Sequence, residues 1–459
     1  MTARAADRVG RGEKLAYGLG ELASSLYVHF FGFFLLFFFV DLGGLAPAAV
    51  GLMLLLTKLI DAVTDPMMGV IADRTRTRWG RYRPYLLWGA VPFGVTGAMI
   101  FAAPEMSKGA LLAWAYVTYT LTMLAYTVVN VPYSGLLGSI SPSSSERAST
   151  TAYRMVFSSV ALISIGLFGT TLVRVFGQGD EARGISMTMF VIAALAVVCI
   201  LITFSATRER VPPARDNGTV SGDLLALIRT PAWLIVATAA TLAPVAIAAR
   251  AGSALFFFKY VVRDNGLPVF LFFDRVALFY TALALGQVTG VILANYLQRR
   301  FEKHHLIIWA GAIKATAILV FYVIPLDAVW PQTIAQSFVG LGFGMMLVMA
   351  YAMFTDIAEY VEWRSGRQMT GLVVSASIFA TKAGIALGSA LPGFAFALTG
   401  FVAGEVQSEE AVAGINLAFA LIPIMAILPA GIAMMFYRID RAMIATAEAE
   451  LAQRRASAV

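Results

Sequence analysis

Twelve long apolar runs, separated by short polar stretches, account for most of the chain. They cover roughly residues 17–40, 46–72, 84–103, 109–138, 150–176, 185–206, 231–262, 269–297, 305–326, 331–358, 371–400 and 411–437. Each is long enough to cross hydrocarbon, which takes about 20 residues as a helix. The pattern predicts an all-α membrane protein with twelve transmembrane helices. The start does not read as a cleaved signal peptide, because Met1 to Lys14 is polar and the first apolar run is too long for a leader.

The longest polar interruption, 207–230, carries Pro212, Pro213, Asn217, Gly218 and Gly222. It divides the chain into a six-helix bundle over 1–206, a linker over 207–230, a second six-helix bundle over 231–437 and a tail over 438–459. Two bundles of this kind suit a transporter that binds its substrate at midplane between them. Composition agrees: 59% of the residues are hydrophobic and 13% charged, against about 25% charged in a soluble domain. The net charge of +7 is placed on one side. Arg74, Arg76, Arg78, Arg81 and Arg83 follow the second run; Arg208, Arg210, Arg215 and Arg229 follow the sixth. Arg299, Arg300 and Lys303 follow the eighth, Arg364 and Arg367 the tenth, Arg438 and Arg441 the twelfth. That bias puts both termini in the cytoplasm and argues for a bilayer, not nucleic acid, as the partner of the positive charge. The single cysteine, Cys199, excludes a disulfide within the chain.

Against this background the second run is anomalous. Asp61 and Asp65 lie in the middle of an oily segment, four residues apart, with Thr64 between them and Lys58 one turn earlier. Residues at this spacing share a helical face. Acids at bilayer depth are costly and mark function by default. Two anions beside one cation leave room for roughly one more positive charge, so Asp61 and Asp65 are the candidate ligands of a monovalent cation. Thr127 and Asn130, three residues apart before Pro132, could complete the oxygen shell that hard cations favour.

Other ionisable residues fall inside apolar runs: Glu21, Arg154, Arg250, Lys314, Lys382 and, at the end of the tenth run, Asp356, Glu359 and Glu362. Each needs a partner or a water-filled cavity. Lys58, Arg154, Arg250 and Lys382 are candidate substrate contacts. The early polar stripe of the first run, Glu21, Ser24, Ser25, Tyr27 and His29, reads as a cavity wall, and its later phenylalanines as lipid-facing or packing surface.

These residues resemble the glycoside-pentoside-hexuronide:cation symporters of the major facilitator superfamily. The resemblance rests on Asp61 to Gly69, on the loop from Asp73 to Pro84, on Tyr17-Gly18-Leu19-Gly20, on Val129 to Tyr133 and on Asp356 to Glu362. It implies that Asp61 and Asp65 bind the coupling cation and that Arg154 and Lys382 line the cavity. It implies a cytoplasmic gate of Asp73, Arg74, Arg78, Arg81, Asp356, Glu359 and Glu362. Three positions depart from the galactoside-carrying pattern: Ser25 and Asn130 stand where acids grip the sugar, and Ser134 where an indole stacks on it. Thr64 replaces an asparagine of the cation site. The expected cargo is therefore not a galactoside, and the excess of cations favours an anionic solute such as a hexuronide.

The expected activity is Na+- or H+-coupled symport of a sugar-like solute by a monomer in the bacterial inner membrane, with no other cofactor. The alternatives are a carrier of amphiphiles such as lysophospholipids and, remotely, a membrane enzyme that holds magnesium diphosphate on Asp61-x-x-x-Asp65. The enzyme reading lacks a good second acidic motif, and Asp61 lies roughly 22 Å from its helix end at 1.5 Å per residue.

Overall fold

The computed structural model describes residues 8–211, 227–366 and 370–457. Most of the linker, with Arg215, and also Arg367 lie outside the described residues. Among the described residues, twelve helices are long and apolar enough to cross a membrane. They are α1 (Arg11–Phe37), α2 (Pro47–Arg74), α3 (Arg83–Phe101), α4 (Lys108–Ile140), α5 (Ser144–Gly177) and α6 (Glu181–Ala206). The second set comprises α7 (Pro231–Phe256), α8 (Arg275–Leu297), α9 (Lys303–Val323), α10 (Val329–Ser365), α11 (Thr370–Leu398) and α12, which runs from Glu409 through a π segment to Met435. A terminal helix, α13 (Arg441–Ser457), follows. Several helices outrun their apolar cores because capped polar turns extend them. Ser107, Ser143 and Asp180 accept backbone N–H bonds at the starts of α4, α5 and α6.

Two compact units emerge. The first holds 1–215 together with 251–281 and 390–415; the second holds 216–250, 282–389 and 416–459. In the first unit α1 is the central element. Its phenylalanines are packing residues, not lipid-facing ones: Phe30, Phe31, Phe33, Phe34, Phe37, Phe38 and Phe39 are all buried. Phe33 stacks on Tyr280 with centroids 3.7 Å apart, and Phe30 packs on Phe34 and Phe101.

Helices α1 and α7 both pass into π turns, Phe38–Leu42 and Phe257–Val262. The wider turns bring Asp41 against Lys259, 2.6 Å away, and against the Tyr260 hydroxyl. Nearby, Asp274 caps α8 through Ala277 N–H, accepts from Thr170 at 2.9 Å and lies 3.8 Å from Arg174. Burial holds the Asp274 carboxyl above the usual carboxylate range. Lys259 and Arg174, at these helix ends, thus each have an acid beside them.

The second unit relies on close backbone approach. Helix α8 carries Gly286 and Gly290, and α10 carries Gly340 and Gly344. A Cβ at any of the four would overlap a carbonyl of the facing helix, at Ser337, Leu341, Leu283 or Gln287. Without a hydrophobic drive between helices in lipid, such small-residue contacts supply the packing. α13, expected as a simple tail, packs on α10: Trp363 Nε1 donates to Glu450 at 2.8 Å, and Ala447 and Leu451 are buried. Gly344→Leu is expected to separate α8 from α10 at a cost of about 1–3 kcal/mol, seen as a lower unfolding temperature in detergent. An unchanged melting curve would show that this contact is not structural.

Candidate functional site

The acids of α2 and the polar residues of α4 meet. Asp61 is 4% exposed and Asp65 is half-buried. The Thr127 hydroxyl lies 2.9 Å from Asp61 Oδ1 and 3.0 Å from Asp65 Oδ1. A hydroxyl has one proton, so it donates fully to only one carboxylate at a time. The other oxygen then faces a lone pair, an arrangement that a proton or a small cation relieves. Asn130, one turn beyond Thr127, is half-buried, and its amide makes no hydrogen bond to any described residue. Pro66 and Pro132 interrupt the two helices beside these residues. Each proline lacks an N–H, so the carbonyls of Ala62 and Val128 lose their helical donors.

Two expected neighbours sit differently. The Thr64 hydroxyl donates to the Asp61 carbonyl of its own helix at 3.2 Å. Lys58 forms no ion pair with a described residue. Its ammonium approaches the Met123 sulfur at 3.4 Å, so it influences Asp61 through space and not by contact.

A second cluster joins α1, α4 and α5. Tyr17 and Tyr133 stack with centroids 4.5 Å apart, and each hydroxyl donates to the other residue's carbonyl, at 3.0 and 2.8 Å. This lock explains Tyr17-Gly18-Leu19-Gly20: a Cβ on Gly20 would run into the Tyr133 ring. Above the lock, Arg154 Nε donates to Glu21 at 2.5 Å, with its guanidinium 5.2 Å from the Tyr133 ring centroid. Ser25 donates to Glu21 at 3.1 Å and lies 3.0 Å from Ser158. Ser134 is half-buried on α4. Glu21 was legible only as an acid in an apolar run; its i, i+4 spacing to Ser25 was the available signal of a shared face.

Tyr27 and Arg250 take other places than the cavity wall expected of them. Tyr27 is fully buried, stacked on Phe93 at 4.0 Å, with its hydroxyl on the Phe93 carbonyl. Arg250, in the second unit, is 1% exposed. Gln336 accepts from its Nε and Nη2, the Phe419 carbonyl from its Nη1, and the rings of Phe321 and Phe419 cover it. Both are enclosed packing residues in this conformation. Lys382 is half-buried on α11.

The loop after α2 is ordered by an acid that sequence reading passed over. Glu209 accepts from the backbone N–H groups of Arg81, Tyr82 and Arg83 at 2.8 to 3.1 Å. Gly80, at φ +110°, permits that turn. Asp73 accepts from the Tyr82 hydroxyl at 2.7 Å and lies 3.6 Å from Arg81, while Arg78 covers Trp79. Burial and the bond to Asp73 push the Tyr82 phenol up to about 12. Arg74 is exposed. In the second unit Asp356 pairs with Lys303 at 2.6 Å, Glu359 stands one turn on, and Glu362 is buried.

Residues 16–441 match the family described as MFS/sugar transport protein. The isoprimeverose transporter of Lactiplantibacillus pentosus is 30% identical over 97% of this chain and 93% of its own length. The glucuronide carrier protein homolog of Escherichia coli K12 is 27% identical over 92% of this chain and 91% of its own. The crystal structure of nucleoside transporter NupG superposes with a TM-score of 0.62 at 13% identity, covering 94% of this chain and 100% of that one. The solved structure shares the fold; the family match and the transporter of 30% identity make the class a multi-pass inner-membrane transporter of the major facilitator superfamily, not an enzyme. The chain belongs to the MFS/sugar transport protein family and is a symporter.

Thr127→Val keeps the shape of the side chain and removes its hydroxyl. Losing a hydrogen bond to a charged group is expected to weaken cation activation of transport about tenfold or more. The measurement is the cation concentration for half-maximal uptake; an unaltered value would dissociate Thr127 from the ion.

Proposed function

We propose that the protein carries a sugar-like solute (a glycoside, pentoside or hexuronide) together with one monovalent cation, Na+ or H+, bound by Asp61, Asp65, Thr127 and Asn130. The observation that carries this reading is the convergence of two membrane-embedded carboxylates on one hydroxyl. The names borne by the relatives, an isoprimeverose transporter and a glucuronide carrier homolog, support a sugar over an amphiphile. The solute is held by the α1–α4–α5 cluster, where Ser25, Ser134, Asn130 and Arg154 supply polar groups. The one-sided Lys and Arg of the sequence support cytoplasmic termini. The loop after α2 and the end of α10 then form the inner gate.

Coupling follows from charge. Cation binding neutralises a buried anion, and the resulting gain in solute affinity is matched by an equal gain in cation affinity. Alternating access moves both across together, because a carrier loaded with the ion alone or the solute alone lacks that stabilisation. A sodium ion uses all four oxygen groups, whereas a proton needs only one carboxylate of the coupled pair.

Reconstituted in proteoliposomes, the protein is expected to accumulate a glycoside under an inward Na+ or H+ gradient. Imposing each gradient separately identifies the ion. Asp61→Asn and Asp65→Asn are each expected to abolish uphill accumulation, with solute exchange across the membrane retained in part. Full accumulation in both variants would make the pair structural and remove the basis of the proposal.

A further inference from the structure

The eighth apolar run starts at residue 269, but α8 starts only at Arg275, behind its cap Asp274. The residues before it form a non-helical strap between the seventh and eighth spans, Leu267-Pro268-Val269-Phe270-Leu271-Phe272-Phe273, with no charge in it. Its side chains are turned outward: Leu271 is 73% exposed, and Leu267, Val269, Phe270 and Phe272 are exposed with it. Its carbonyls are tied down. The N–H groups of Val269 and Phe270 donate to the Phe273 carbonyl at 2.8 and 3.2 Å, and Phe273 N–H donates to the Phe270 carbonyl at 2.9 Å. Arg174 of α5 donates to the carbonyls of Gly266 at 2.7 Å and Phe272 at 2.6 Å, and the Thr171 hydroxyl donates to Phe272 at 3.4 Å. At the tip Leu271 holds φ +53°, a left-handed conformation that a turn in water gives to Gly, Asn or Asp.

We propose that residues 267–272 are a strap seated in the bilayer interface, on the face opposite the termini, with Arg174 as the clasp that holds them there. A loop that supplies donors to its carbonyls and offers only apolar side chains suits a solvent that does not hydrogen-bond. An exposed apolar patch marks a membrane or a protein contact, and here the patch runs on into the lipid-facing surface. Phe273 packs on Phe168 of α5 with centroids 6.1 Å apart. Phe168 and Val175, seven residues apart on one face of that spanning helix, are both exposed. Interfacial elements bury their apolar groups about 5–10 Å into the boundary of headgroups and acyl chains, a depth within reach of a loop joined directly to two spans. Arg174 also lines a cavity of about 420 Å3 together with Asp264, Gly266 and Asp274. The strap that lipid holds is therefore one wall of that cavity. The inference uses the membrane-spanning class alone and goes beyond the symport reading, whose failure would leave it standing.

Cys199 is the single cysteine, so Cys199→Ser gives a background without thiols. Leu271→Cys and, as the control, Val406→Cys are each labelled with the fluorophore NBD in vesicles of phosphatidylcholine and phosphatidylglycerol. Val406 is exposed in the loop between α11 and α12, on the same side of the membrane. The label at position 271 is expected to emit to the blue of the label at 406 and to be quenched by a lipid that carries a doxyl group near the headgroup end of its acyl chain. Its quenching constant for iodide should be smaller by about fivefold or more, since an anion does not leave water for the boundary. Adding Arg174→Gln to the labelled Leu271→Cys protein frees the two carbonyls and should raise iodide quenching toward the value at 406. Equal iodide quenching at the two positions overturns the inference and makes the strap a loop in water. Quenching by neither iodide nor doxyl lipid also overturns it, in favour of a second copy of this chain over the patch. An Arg174→Gln protein with unchanged quenching at 271 removes the clasp.

Discussion

A carboxylate inside a bilayer cannot be left to itself, and this requirement organises the first half of the molecule. Asp61 and Asp65 are tolerated in α2 because α4 lays Thr127 against both of them. That contact demands a register of α4 against α2, and the register in turn places Asn130 and Tyr133 on the same side of α4. Tyr133 then closes on Tyr17, which brings α1 to the same centre and leaves Gly20 no room for a side chain. Arg154 and Glu21 settle over that aromatic pair. The Asp61–Asp65–Thr127 cluster and the Tyr17–Tyr133 cluster draw on consecutive stretches of one helix, α4, so a shift that satisfies one is felt by the other. Coupling needs such a shared element, because an ion can bias a solute only through a difference in free energy between the same two states.

Several charges outside this centre hold helix ends. Glu209 gathers three consecutive amides, a task that a neutral side chain performs poorly, since amide dipoles aimed at one point are stabilised by an anion. At the opposite end of the first unit, the π turns of α1 and α7 carry Asp41 and Lys259 into contact. A π turn widens a helix locally and costs good hydrogen-bond geometry. Here the turns at the ends of α1 and α7 carry residues that are partners.

The helices and the acids were legible in the sequence for different reasons. Twelve spans could be counted because lipid demands long unbroken apolar segments, a requirement strong enough to be seen without neighbours. Asp61, Asp65 and Thr127 were legible because polar groups at such depth are rare. What could not be read was pairing. Arg154 and Glu21 are separated by 133 positions, and nothing in either local sequence joins them. Tyr27 and Arg250 looked like cavity residues because Tyr and Arg are polar at one end, yet Phe93 and Gln336 turn them into packing. The phenylalanines of α1 were left open between lipid and packing for the opposite reason, since an apolar residue in a membrane helix gives no sign whether lipid or protein covers it; the structure makes them packing.

The same limit explains why net charge misleads when it is summed along a chain. Counting Lys58, Arg154, Arg250 and Lys382 predicts a cavity that attracts anions. Once Arg154 is bonded to Glu21 and Arg250 is enclosed by Gln336, Phe321 and Phe419, two of those four charges no longer present themselves to a solute as cations. Selectivity follows the local sum at the place where the solute sits, and inside a membrane that sum is decided by single partners, because no solvent averages it away. One carboxylate on α1, one turn before Ser25, is enough to take Arg154 out of that count.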